Sequence, residues 1–121
     1  MSSSASDPTS STTLQYVHWF RHSAPYINAH RGKTFVLMFD GEAVQHDNFQ
    51  HIIHDIALLH SLGIRLILVH GARPQINQQL KVAQIETPFY KQRRITTRES
   101  LTAVMSAVGS IRLQIEALLS M

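Results

Sequence analysis

At 121 residues, 44% hydrophobic and 16% charged, the chain has room for one globular domain with a modest core and is too apolar to be disordered throughout. It has no cysteine, which excludes a disulfide framework and a thiolate metal site. The net charge is +3, and Arg65 to Arg98 hold seven basic residues against the single acid Glu86. A surface that attracts anionic metabolites accounts for that excess. Only Phe89 and Tyr90 are aromatic there, so the stacking platform of a single-strand nucleic-acid binder is missing. No apolar run approaches the roughly 18 residues of a membrane helix, and the N-terminus lacks the basic-then-apolar order of a signal peptide. The expectation is a cytoplasmic protein that binds neither nucleic acid nor membrane.

Residues 1–13 are mostly Ser and Thr and read as a disordered tail. Residues 14–30 read as an N-terminal helix and linker. Leu14, Val17, Phe20, Arg21 and Ala24 recur at helical spacing, Pro25 ends or kinks the helix, and a basic loop follows from Asn28 to Lys33. Thr34 to Phe39 form an apolar strand closed by Asp40-Gly41-Glu42. Asp47 or Asn48 can then cap a helix with Phe49, Ile52, Ile53, Ile56, Leu59 and Leu62 on its inner face, and Gly63 stops it. Leu66 to Val69 form a second unbroken apolar strand, of the kind covered on both faces in a parallel sheet. Strand, helix and strand make one βαβ unit, whose right-handed crossover places the turns at Gly41 and Gly71 on the same sheet edge. Ile76, Leu80 and Ala83 face inward on the next helix, which ends near Gln84, and residues 87–96 read as an exposed hairpin or loop. Thr97 can cap a helix presenting Leu101, Val104, Met105 and Val108, interrupted at Gly109 before Ile111.

The run Val69-His70-Gly71-Ala72-Arg73-Pro74 is the candidate ligand corner. Gly71 and Ala72 allow close backbone approach, Pro74 is tolerated in a first helical turn, and ligands of open α/β sheets sit off the carboxyl ends of strands. His70 at the strand end could donate a hydrogen bond to a substrate, or could be a capped strand-end histidine. The anion site and the plain strand-to-helix turn both fit this segment. Eight histidines raise the question of metal, but His46, His51 and His54 lack a carboxylate in any recognised ligand pattern, so no metal site is assigned. No nucleophile signature appears, and no catalytic residue is assigned. Met38 and Asp40 end the first strand where phosphoryl transfer would want a cation.

The chain resembles the amino-acid kinase fold, and more closely the N-terminal part of the bacterial N-acetylglutamate synthase family. The resemblance is carried by Phe20-Arg21-His22-Ser23-Ala24-Pro25-Tyr26-Ile27, Arg31-Gly32-Lys33-Thr34-Phe35-Val36, Gly41-Glu42-Ala43, Leu58 to Leu66, and Gly71-Ala72-Arg73-Pro74-Gln75-Ile76. It implies a parallel-sheet αβα sandwich of the acetylglutamate kinase-like type, incomplete, with residues 31–121 as the N-terminal portion of the domain. The sister kinase family has a lysine and two glycines after its first strand, where Met38, Asp40 and Gly41 stand here, and consecutive glycines where Ala72-Arg73 stand. Kinase activity is therefore the weaker reading.

In the synthase family, acetyl-coenzyme A and glutamate react on a separate acetyltransferase domain. The kinase-like domain serves arginine feedback and homo-oligomer assembly. The resemblance thus implies that this chain is a regulatory and assembly portion, inactive alone, holding no cofactor and without the segment that binds acetyl-coenzyme A. Gly41, His70, Gly71, Ala72 and Arg73 are its ligand-binding candidates, and Tyr16 and Phe20 its regulatory or assembly helix candidates. L-arginine is the expected ligand. The alternative is a stand-alone arginine-binding or subunit-assembly module.

Overall fold

In the computed structural model, which describes residues 8–121, β1 (Thr34–Phe39) and β2 (Arg65–His70) pair in parallel, with Thr34 opposite Arg65 and Phe39 opposite His70. Between them run α2 (Gly41–Gln45) and α3 (Phe49–Ser61), and after them α4 (Arg73–Val82), the hairpin β3 (Phe89–Tyr90) and β4 (Arg93–Arg94), and α5 (Arg98–Leu119). The α/β class and the βαβ unit hold. A long α1 (Pro8–His30) precedes the sheet.

The core lies on one face of that sheet. Phe49, Ile53 and Ile56 of α3, Ile111 and Ile115 of α5 and Val44 of α2 are buried together against Leu37, Phe39, Leu66 and Leu68. The Phe39 and Phe49 rings meet edge-on with centroids 5.6 Å apart. The expectation of strands covered on both faces fails on the other side, where Val36 is 63% and Met38 82% exposed and Ile67 and Val69 are also open. Side chains alternate across a strand, so covering one face does nothing for the other, and no helix among the described residues packs there. This is one half of the expected sandwich.

Helix ends follow local chemistry. Asp40 caps α2, its carboxylate accepting the Ala43 N–H at 2.9 Å. Asn48 occupies the N-cap of α3 without a side-chain cap bond; its own N–H donates to His46 Nδ1 at 3.1 Å. At the other end of α3, Gly63 N–H donates to the His60 carbonyl and Ile64 N–H to that of Leu59, with Gly63 at φ +92°. That paired pattern is a Schellman stop. α4 ends the same way, Gln84 N–H to Lys81 O and Ile85 N–H to Leu80 O, but the left-handed residue is Gln84 at φ +56°. Thr97 and Ser100 form the cap of α5: Thr97 Oγ1 accepts the Ser100 N–H at 3.1 Å, and Ser100 Oγ accepts the Thr97 N–H at 2.9 Å.

Three further expectations are corrected. Residues 8–13, read as tail, are helical; residues 1–7 lie outside the described residues. One hydroxyl of this segment bonds back along the helix, Thr13 Oγ1 donating to the Thr9 carbonyl at 2.8 Å. Pro25 neither ends α1 nor yields a loop from Asn28, since the helix runs on to His30. Its missing N–H leaves the carbonyl one turn back to water on an exposed helix, where that loss is tolerable.

The third correction concerns α5, which is unbroken at Gly109 and buries Ser100, Ala103, Ala107, Ile111 and Ile115 while leaving Leu101, Met105 and Val108 exposed. Close packing on α4 selects the small residues, so the large apolar ones are turned outward. By length and average hydropathy α5 could cross a bilayer, which a search for an unbroken apolar run misses because Ser106, Ser110 and Arg112 divide it. Its buried face packs on α3 and α4.

A Cβ at Gly109 would meet nothing within 4 Å. Gly109→Ala should therefore raise stability by about 0.5–1 kcal/mol, and Gln84→Gly, by relieving the left-handed backbone, by up to about 1 kcal/mol. Both are read as higher urea midpoints at unchanged slope.

Candidate functional site

β1 and β2 leave the sheet at the same edge, and their corners touch. Gly71 N–H donates to the Phe39 carbonyl at 2.9 Å, continuing the ladder one step past the strands. A Cβ built on Gly71 would stand 3.2 Å from the Gly41 nitrogen and 3.3 Å from the Asp40 Cα. One on Gly41 would stand 2.8 Å from Pro74 Cδ and 3.2 Å from the Ala72 Cα. Neither glycine has a positive φ. They are required by close approach and not by backbone conformation, and what approaches is the other corner. The space that the sequence offered to a ligand backbone is filled by protein.

His70 stands beside this contact, half-buried, with Nδ1 3.1 Å from the Gly71 carbonyl. A carbonyl only accepts, so Nδ1 carries a proton in that contact. Ala72 packs against the core cluster, and its carbonyl accepts the Ile76 N–H at 2.8 Å as α4 begins. Arg73 turns away: its exposed guanidinium donates to the Gln92 carbonyl at 3.3 Å, tying the start of α4 to the hairpin turn. Gly41, His70, Gly71 and Ala72 thus come together, and the charged head of Arg73 does not join them.

Sequence reasoning missed Gln75 as a member of this corner. Its Nε2 donates to the Gly41 carbonyl at 2.7 Å, bridging from α4 to the end of β1, while its Oε1 is buried without a hydrogen-bond partner. Its place one residue after Pro74 in the first turn of α4 was the available signal. Beside it opens a recess of about 570 Å³ of mixed lining, with Gln75, His46, Asp47 and Gln114 on one part and the apolar Val44 and Leu118 on another. Tyr16 and Phe20 are elsewhere. α1 joins β1 at the opposite, N-terminal end of the strands, and both rings are exposed. Where α1 meets the sheet, Tyr26, His30, Phe35 and Leu59 line a separate apolar groove of about 310 Å³. No group of three or more His, Cys, Asp or Glu among the described residues is placed to hold a metal ion.

The amino acid kinase family pattern matches residues 33–120, from the entry to β1 through the end of α5. This chain belongs to the amino acid kinase family. Within this kinase fold it is similar to the amino-acid acetyltransferase of Azotobacter vinelandii, 56% identical over 106 residues that cover 88% of this chain and 24% of that protein. It is also similar to the amino-acid acetyltransferase of Pseudomonas syringae pv. tomato, 54% identical over 107 residues, or 88% of this chain and 25% of that one.

Among solved structures, N-acetylglutamate synthase from Neisseria gonorrhoeae complexed with coenzyme A and N-acetyl-glutamate superimposes with a TM-score of 0.74 at 33% identity, over 87% of this chain and 25% of that chain. The same synthase complexed with coenzyme A and L-arginine gives 0.72 at 33% identity, over 85% and 24%. The chain thus spans about a quarter of the length of the relatives it matches.

Gly41→Ala drives a methyl into the rigid Pro74 ring and the Ala72 backbone. It should lower stability by about 1–3 kcal/mol, as overpacking of a close contact does, measured by urea denaturation. Gly32→Ala, where a Cβ has open space, should lose only what its φ of +78° costs.

Proposed function

We propose that this chain acts as the first part of the kinase-like domain of an N-acetylglutamate synthase, serving arginine feedback and subunit assembly while acetyl transfer takes place outside it. The observation that carries the reading is the 56% identity to an amino-acid acetyltransferase across nearly the whole chain, together with a corner in which the phosphate-handling positions have other uses. Asp40 spends its carboxylate on capping α2, Met38 lies on the open sheet face, and Arg73 reaches the hairpin. A negative cap at the strand end opposes a bound phosphoryl group, which needs cations around its oxygens.

On this reading acetyl-coenzyme A and glutamate meet on a part of the synthase outside the matched quarter. At the edge where Gly41, Gly71 and Ala72 pack on one another, His70 is the group left to meet a ligand. The exposed aromatic residues of α1, Tyr16 and Phe20 among them, form the assembly surface of a homo-oligomer. L-arginine is the ligand to test, because a structural relative of this fold has been solved with it.

The test is a chimera in which this chain replaces the matching quarter of the Azotobacter vinelandii acetyltransferase. Acetyl transfer to glutamate and its response to arginine should both survive, while the 121-residue chain alone should give no N-acetylglutamate from acetyl-coenzyme A and glutamate. An active chimera blind to arginine would remove the regulatory assignment; turnover by the chain alone would overturn the placement of the chemistry.

A further inference from the structure

His18 and His22 lie one helical turn apart on α1 with their rings stacked, centroids 6.1 Å apart and planes within 16°. Both are exposed, and neither ring has a hydrogen-bond or ion-pair partner among the described residues. The contrast with other histidines is chemical. His30, His46, His60 and His70 each have Nδ1 within 3.3 Å of a backbone group, so those rings are already fixed by the fold.

A neutral imidazole is a ligand for borderline divalent ions, and residues at i and i+4 share one helix face. Two imidazoles bound cis to one ion at metal–nitrogen distances of about 2.0–2.1 Å bring their centroids to roughly 5 Å. The observed pair is about 1 Å wider, a gap that side-chain torsions of two exposed rings can close without moving the helix. The electrostatics select among ions. α1 carries no acid from Pro8 to His30, and Arg21 lies next to His22. Long-range attraction therefore contributes nothing, and only ions with strong bonds to nitrogen should bind. Mg²⁺ and Ca²⁺, which need oxygen ligands, should not.

We propose that His18 and His22 form a bidentate site for a divalent transition ion, Cu²⁺ before Ni²⁺ or Zn²⁺, that staples one turn of the exposed N-terminal helix. In the single chain Leu14, Tyr16, Trp19 and Phe20 are all exposed, so before subunits assemble this part of α1 gains little from packing and the staple matters. A short helix without tertiary support is marginal in water. An ion that binds only when both imidazoles stand on one face stabilises the helical form by mass action.

The chain contains one tryptophan, Trp19, beside His18 and 67% exposed, and its fluorescence reports the site directly. Titrating the 121-residue chain with CuCl₂ should give saturable quenching with one ion per chain, and MgCl₂ should give none. His18→Ala or His22→Ala should weaken the response by about tenfold or more, as loss of half the donor set requires. The double variant His51→Ala/His54→Ala, which removes the other histidines close together on one helix, should leave it unchanged.

Equal quenching in the His18 and His22 variants, or loss of quenching in the α3 double variant, would overturn the site. ZnCl₂ should also slow amide hydrogen exchange across residues 18–26 in the parent chain and not in His22→Ala. Unchanged exchange in the parent would overturn the staple.

Discussion

The architecture rests on two parallel strands pinned to each other at both ends by backbone hydrogen bonds, the exit end being too close for a side chain. At the entry edge Gly32 N–H donates to the Gly63 carbonyl at 2.8 Å; at the exit edge Gly71 N–H donates to the Phe39 carbonyl at 2.9 Å, with Gly41 against Ala72 and Pro74. Parallel strands are joined by a crossover and cannot use a tight hairpin to fix their register. Here the register is set where strand meets helix: a Schellman turn on Gly63 delivers β2 beside the entry of β1, and abutting corners prevent any slip at the far end. A shift of one residue would turn Leu37, Phe39, Leu66 and Leu68 from the core to the open face. The glycine contacts and the core pattern therefore enforce the same pairing.

That pairing explains which sequence signals were legible. The βαβ unit, the shared edge of the two glycine turns, the stop at Gly63 and the cap at Thr97 are local rules acting where local rules dominate. The failures have different physical origins, and in α5 packing between elements overrode the local pattern. Leu101 and Met105 look like the inner face of α5 by size, yet Ala103 and Ala107 are the residues it buries, and α5 packs on α4 and α3. Gly109 looks like a break, yet helix hydrogen bonds on both sides carry the chain through it. Pro25 looks like an end, yet an exposed helix can spare one bond. Unbroken apolar strands signal cover on both faces, and the described residues supply one.

The candidate corner was legible as a place and less so as a mechanism. Small residues at the end of a buried strand correctly marked a close approach, but spacing cannot tell whether a ligand or another stretch of backbone makes it. The structure gives that room to the neighbouring corner. Gln75, whose amide ties the two corners and hides an unpaired oxygen, was marked only by its place directly after Pro74 in the first turn of α4.

The basic excess between Arg65 and Arg98 is read differently once the contacts are known. Arg73 donates to the Gln92 carbonyl; Arg94 donates to Thr87 and Asn77 while its guanidinium lies 4.7 Å from the centre of the Phe89 ring; the Lys91 ammonium sits 5.5 Å from that of Tyr90. The hairpin needs this support, since its two pairs are short and both turn residues, Lys91 and Gln92, hold positive φ angles of 48° and 64°. A two-residue turn of that hand is the one that suits strand twist, but residues other than glycine or asparagine adopt it at a cost. Arg73 and Arg94 offset that cost by tying the hairpin to α4. Arg73 and Arg94 are therefore part of how the hairpin stays folded against α4.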